Sequence, residues 1–300
     1  MATLYTHQDQ NKHKTWLLMA LFCVVVIGVA GVFGYIQNNP IILYVAVLAS
    51  SGMSIWSYWY SDKLVLKMSG ATPVTREQYF DLWNSVENLS ITAGLPMPKV
   101  YVIADDSPNA FATGRDKDHA VIAVTTGLLK VLNKVEIEGV IAHELSHIGN
   151  RDILLGTVVV VLIGFVAILS DIFLRTAHLG GGRDRDNRLG AILMILGIVF
   201  AILAPIATRL IHFAISRRRE FLADASGALL TRYPDGLAAA LEKISAYPHG
   251  LQRQSTAMAH LYISNPLKDG RTRSFMAKML STHPPTEERV AALRGINPNA

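Results

Sequence analysis

His143 and His147 stand four residues apart in the run VIAHELSHIGNRD, and Glu144 sits beside the first of them. Positions i and i+4 share one face of a helix, so both imidazoles can present a nitrogen to the same Zn²⁺. Glu144 is then placed to take a proton from a water held at that point. The chemistry this pattern suggests is metal-assisted hydrolysis of a peptide bond. A catalytic zinc needs a third protein ligand and an open position. Glu220, in SRRREFLADASGALL, is the candidate ligand, and Asp224 one turn later can hold a ligand histidine through its other ring nitrogen. Candidates for a positive donor to an oxyanion are His283, in STHPPTEER, and Arg289 just beyond it.

The two halves of this constellation must be brought together by what lies between them. Four apolar blocks, at about 16–36, 41–60, 153–174 and 189–215, are each near or above the roughly 20 residues that cross a bilayer. The polar turn QNNP joins the first pair into a helical hairpin, and SIWSYWYSDK closes the second block with interfacial aromatics. The first block exceeds the roughly 7–15 apolar residues of a signal core and a second block follows at once, so a retained anchor is expected. Two crossings separate His147 from Glu220, which puts both on one side of the membrane. At about 1.5 Å per residue, each lies about 8–9 Å from the end of its block, so the helices can meet at one ion. Lys12, Lys14, Lys63, Lys67 and Arg217–Arg219 fall on that side and assign it to the cytoplasm, whereas Arg175, Arg183, Arg185 and Arg188 dissent.

Composition narrows the alternatives. With 51% hydrophobic and 17% charged residues, concentrated in blocks, the chain reads as a membrane protein. Its formal charge of +5 is scattered, with no basic stripe, which argues against a nucleic-acid partner. The single cysteine, Cys23, excludes an internal disulfide and a cysteine-based zinc site. A channel or transporter with a regulatory metal site is disfavoured because Asp171 and Arg209, the charges in the blocks, lie near their ends.

The polar segments read as one α+β catalytic domain in two parts, 61–152 and 216–300, interrupted by a second hydrophobic hairpin at 153–215 and preceded by the hairpin of 1–60. TREQYFDLWNSVENLSITAGL is a helix ending at Gly94, while KVYVIA and HAVIAVT are strands. A third short strand falls within DDSPNAFATGRDKD, giving a small antiparallel sheet beside the H-E-x-x-H helix. An exposed edge at NAFATG would pair with the main chain of an extended peptide. The expected fold is thus a mainly α membrane protein with about four transmembrane helices.

NAFATG at 109–114, AVTTGLL at 123–129, VIAHELSHIGNRD, REFLADASGA and THPPTEERVAAL occur in this order. In them the chain resembles the HtpX-type membrane zinc metalloproteases, a family related to the CAAX prenyl zinc proteases. The likeness runs from about Lys99 to Leu293 and includes the leading hairpin. It implies a zincin-like (gluzincin) domain with one Zn²⁺ per chain on His143, His147 and Glu220, and Glu144 as base. Asn109, Ala110 and Phe111 would form the edge strand that binds substrate backbone, with His283 and Arg289 stabilising the tetrahedral intermediate. The resemblance further implies a multi-pass protein of the cell (inner) membrane with its active site facing the cytoplasm. Its polypeptide substrates would be misfolded or damaged membrane proteins, cleaved as quality control under stress. A CAAX-type processing protease is the alternative within the same chemistry. His283 could also occupy the open zinc position in a resting form. From the loop GGGRDRDNR and the tail RGINPNA the resemblance carries nothing over.

Overall fold

The computed structural model describes residues 4–36, 38–179, 217–253, 258–266 and 284–295, with Ile195 and Gly197. Helices α1 (Leu4–Ile36) and α2 (Ile41–Ser69) pack as an antiparallel hairpin. The face of α2 turned inward carries Ala46, Ser50, Ser54, Ser57 and Ser61, small residues that let two helices approach closely. Cys23 of α1 meets Ser54 at 3.3 Å along this seam. Outside it, Trp16, Leu17, Leu48 and Ile55 are exposed, an apolar surface too continuous for water and suited to lipid. Among the described residues these two helices, over His13–Val32 and Ile41–Ser69, are long and apolar enough to cross a membrane.

Four strands follow, with a helix between the first two: β1 (Ala71–Pro73), α3 (Phe80–Ala93), β2 (Lys99–Ile103), β3 (Ala110–Gly114) and β4 (Ala120–Thr125). Their order is β1-β2-β4-β3. The expected antiparallel sheet is therefore corrected to a mixed one: β1–β2 and β3–β4 are antiparallel, whereas β2 and β4 are parallel neighbours. The reason is that β3 leaves β2, runs to the far edge and returns as β4 between them. β1, three residues ending in Pro73, is too short to show a period and sits at an edge, where proline is tolerated.

Among the described residues the further helices include α4 (Thr126–Val131), α5 (Lys134–Gly149), α6 (Asp152–Leu179), α7 (Arg217–Thr231), α8 (Pro234–Ala246) and α9 (Thr286–Leu293). A core of Val100, Ile122, Ile141, Leu145, Ile148, Leu237 and Ile244 joins the sheet to α5 and α8. The start of α5 is fixed by a capping box. Asn133 accepts from the Glu136 amide at 3.0 Å, and Glu136 accepts from the Asn133 amide at 2.9 Å. Lys243 of α8 then reaches Glu136 at 2.8 Å.

After Gly149 the chain turns through 83° into α6, with Arg151 in the left-handed region at φ 57°. The first half of α6, predicted as the start of a third span, is buried. Val158, Leu162 and Val166 pack on Met19, Phe22 and Val26 of the hairpin, and Val160 packs beside Phe111. An apolar run reads alike whether its partner is lipid or protein. The predicted fourth span lies outside the described residues, Ile195 and Gly197 apart.

Helix α7 lies against α5 at Gly227, where an added Cβ would stand 3.0 Å from the His143 amide nitrogen. Gly227→Val should therefore push α7 off α5 and cost about 1–3 kcal/mol of stability, the usual range for overpacking. Chemical unfolding in detergent measures this. An unchanged midpoint would show that the contact does not govern the helix spacing.

Candidate metal centre

The end of α5 and the start of α7 put three ligand atoms around one point. His143 Nε2 and His147 Nε2 are 3.2 Å apart. Glu220 lies 3.9 Å from the first and 3.6 Å from the second. Ligands about 2.0–2.1 Å from a tetrahedral zinc stand roughly 3.3 Å from one another, so the spacing fits that ion. His143, His147 and Glu220 are the group among the described residues that could hold a metal. They line a cavity of about 40 Å³ together with Glu144, Ala112, Gly156 and His260, room for an ion and a water.

The ring nitrogens on the far side explain why a cation is required. His143 Nδ1 meets Asp224 at 2.9 Å and His147 Nδ1 meets Asp152 at 3.1 Å. Each Nδ1–H donates to a carboxylate, which leaves both Nε2 lone pairs aimed at each other and at Glu220. Three acceptors converge, and only a positive species between them relieves the repulsion. A proton on His147 can serve. Burial opposes that charge, but the Asp152 bond and the negative Glu220 outweigh it and carry its pKa to about 9. Burial pushes His143 the other way and keeps it neutral. A divalent ion would meet the same field with twice the charge, and its uptake would release the His147 proton.

Glu144 lies beside the ligands with 1% of its surface exposed. Burial pushes its carboxyl up to about 7. The positive His147 pulls it down, Glu220 adds to the rise, and a hydrogen bond from the Ala112 backbone lowers it again. A carboxyl poised near neutrality, next to a metal-ligand cluster, has the properties of a general acid–base.

Arg289, expected to face an oxyanion, lies behind the ligands instead. It is 2% exposed and binds both oxygens of Asp224, at 2.8 and 2.6 Å, and the Ile263 carbonyl at 3.0 Å. Although burial would raise the Asp224 pKa, this fork and His143 hold it at about 2. Arg289, Asp224 and His143 thus form one buried chain ending at the metal position. His283 lies outside the described residues.

The predicted substrate-binding stretch is the edge strand β3, with its outer side partly occupied. The Ala110 carbonyl accepts from the Ile263 amide at 2.9 Å, and Phe111 bridges Tyr262 with ring centroids 5.1 Å apart. The Asn109 side chain donates to the Ser264 carbonyl at 2.9 Å. Three side chains that sequence reasoning passed over also belong to the site. Asp152 holds His147, Arg219 binds Asp152 at 2.9 Å, and His260 lies on the cavity wall, 3.1 Å from the Gly156 carbonyl. Asp152 was visible in the motif, but its partner is set by the 83° turn, which spacing alone does not reveal.

Comparison with known proteins places this geometry. The profile of peptidase family M48 matches residues 77–297, a span that takes in both halves of the site. The chain is 45% identical over 291 residues to the protease HtpX homolog of Tropheryma whipplei (strain Twist), covering 97% of this chain and 98% of the relative. It is 44% identical over 299 residues to the protease HtpX homolog of Thermoanaerobacter pseudethanolicus, covering 98% of each. The crystal structure of S. mikatae Ste24p is similar in fold, with a TM-score of 0.51 at 18% identity. That likeness covers 93% of this chain and 66% of the other. With a zinc-dependent family matched across most of its length, the chain belongs to peptidase family M48, as a metalloprotease carried on an apolar hairpin.

Proposed function

We propose that the protein is an integral-membrane zinc endopeptidase that holds one Zn²⁺ on His143, His147 and Glu220 and uses Glu144 as its base. The observation that carries this reading is the convergence of three acceptors, 3.2–3.9 Å apart, beside a buried glutamate. A bound zinc supplies Lewis acidity, polarising the scissile carbonyl and easing the ionisation of water to near pH 7. Glu144 takes the proton of the attacking water and delivers it to the departing amine, work for which a pKa near 7 suits it in both directions. Asp152 and Asp224 fix the ligand tautomers, and Arg289 fixes Asp224. His283 is kept as a candidate for stabilising the tetrahedral intermediate.

Substrate main chain is read at the β3 edge. The outward groups alternate along the strand, and Ala110 is already engaged by Ile263, so Ala112 is the next outward position and lies on the cavity wall. Asn109 and Phe111 support this edge by anchoring Ser264 and Tyr262. Recognition through main-chain bonds asks little of sequence, which suits unfolded polypeptide. Position relative to the bilayer supports misfolded membrane proteins as substrates. Trp16 stacks on Tyr58 at 6.1 Å, as aromatics do at a membrane boundary. Asn11, whose side chain donates to Asp152 at 2.6 Å, precedes Trp16 by about 7–8 Å along the helix axis. A segment leaving the bilayer would thus meet the catalytic unit, assembled from 61–152 and 216–300, at the surface. Lys63, Lys67 and Arg217–Arg219 support a cytoplasmic site at the inner membrane, with 153–215 as the second membrane hairpin.

Glu144→Gln should keep wild-type zinc content and lose about 10²–10⁴-fold in cleavage of casein. Full activity in that variant would end the base assignment. Because the base must be ionised, kcat/KM of the wild type should rise with pH through an acid limb. Its midpoint should fall at or below about 7, since the nearby metal charge favours the carboxylate. An acid limb centred well above 7 would contradict this. Arg289→Leu removes the cation that pairs with the buried Asp224 carboxylate and should destabilise the fold by about 3–5 kcal/mol. Arg289→Lys should recover only part of that, because an ammonium does not span both oxygens of Asp224. Unfolding midpoints of the three proteins decide between this and a dispensable arginine.

A further inference from the structure

Asn11 lies on α1 at the edge of the membrane segment, and only 3% of its surface is exposed. Its Nδ2 donates to Asp152 Oδ1 at 2.6 Å and to the Asn150 carbonyl at 3.2 Å. Arg219 donates to Asn11 Oδ1 at 3.3 Å and to Asp152 Oδ1 at 2.9 Å. The other oxygen of Asp152 meets His147 Nδ1 at 3.1 Å. One side chain of the first membrane helix therefore touches the turn that follows the His147 helix and the residue preceding Glu220.

From this arrangement we infer that Asn11 is a positioning residue for the zinc centre, so that α1 forms part of the catalytic unit as well as anchoring it. The inference rests on the zinc reading proposed above. An amide buried in this position is costly unless its polar atoms are bonded, so its presence calls for a polar role. That role follows from the two oxygens of Asp152. Holding Oδ1 fixes the carboxylate plane and aims Oδ2 at the His147 Nδ1–H, which keeps Nε2 free to bind the ion. Asn11 does this as a neutral donor, so the carboxylate retains the charge that makes His147 a stronger ligand. Arg219 supplies a second hold on Oδ1 from the Glu220 side. The two ligand-bearing segments are thereby tied to α1, and a shift of that helix relative to α6 would be felt at His147.

A double-mutant cycle on zinc affinity tests this, using full-length protein in detergent and a competing chelator. Removing a direct carboxylate partner of a ligand histidine weakens metal binding by about 10–100-fold, so Asp152→Ala should fall in that range. Asn11→Ala acts one bond further out and should weaken binding by about 3–10-fold, a reduced form of the same effect. Asn11→Leu, which keeps the branched shape without polar atoms, should match it and covers the case in which the alanine variant does not fold. In the Asp152→Ala background neither should weaken binding further, because Asn11 acts through Asp152. Leu17→Ala, at a lipid-exposed position of the same helix, should leave affinity unchanged. The inference is overturned if Asn11 variants bind zinc within twofold of wild type, or if their losses add fully to that of Asp152→Ala. Lower unfolding temperature in chelator with unchanged zinc affinity would assign Asn11 a purely structural part. Wild-type protein that takes up no zinc would instead refute the metal centre itself.

Discussion

Two imidazole nitrogens 3.2 Å apart, turned toward each other by the carboxylates that hold the far side of each ring, face a third acceptor in a buried site. Left alone, that cluster is repulsive, and the rest of the structure serves to hold it together. Asp224 and Asp152 fix the rings, Arg289 and Arg219 hold those carboxylates, and the backbone of α5 is pinned by its capping box and by α8. The energy stored in converged acceptors is what a cation releases on binding. In the protein without metal, the proton on His147 provides a weaker version of the same relief.

The division of the site between α5 and α7 gives the intervening hydrophobic chain a purpose. His147 and Glu220 are separated by more than 70 positions, yet Gly227 lets the two helices lie nearly backbone to backbone at His143. The first part of that intervening chain, α6, starts as protein core and links β3 to the membrane hairpin. Catalytic machinery and membrane segment therefore share packing and are not joined by a linker. Through Asn11, the membrane hairpin is a mechanical neighbour of a proposed zinc ligand.

Chemistry was more legible in the sequence than architecture. H-E-x-x-H declares itself because a four-residue step is the geometry of one helix face, and Glu220 and Asp224 repeat that step. The strand at 110–114 was also readable, since turn residues bracket a short apolar run. Pairing was not, because nothing local says that β2 will lie parallel to β4. β1 has too few residues for any pattern, and the apolar run that opens α6 does not say that its first half packs on the hairpin. Arg289 was identified as belonging to the site, but its pairing with Asp224 was not. A lone arginine in a polar helix carries no directional signal, and its place follows from the packing of α9 against α7. Asp152 and Asn11 depend on the turn after α5 and on the docking of α1, contacts between distant parts of the chain.

The central claim is that a zinc ion joins α5 to α7 through two imidazoles and one carboxylate. X-ray absorption at the zinc edge of the purified protein tests it most directly. The account predicts nitrogen and oxygen neighbours at about 2.0–2.2 Å, with the outer-shell scattering of two imidazole rings. In Glu220→Gln the two-imidazole signature should persist while metal affinity falls. Sulfur scattering at about 2.3 Å, or a shell without the two rings, would contradict it.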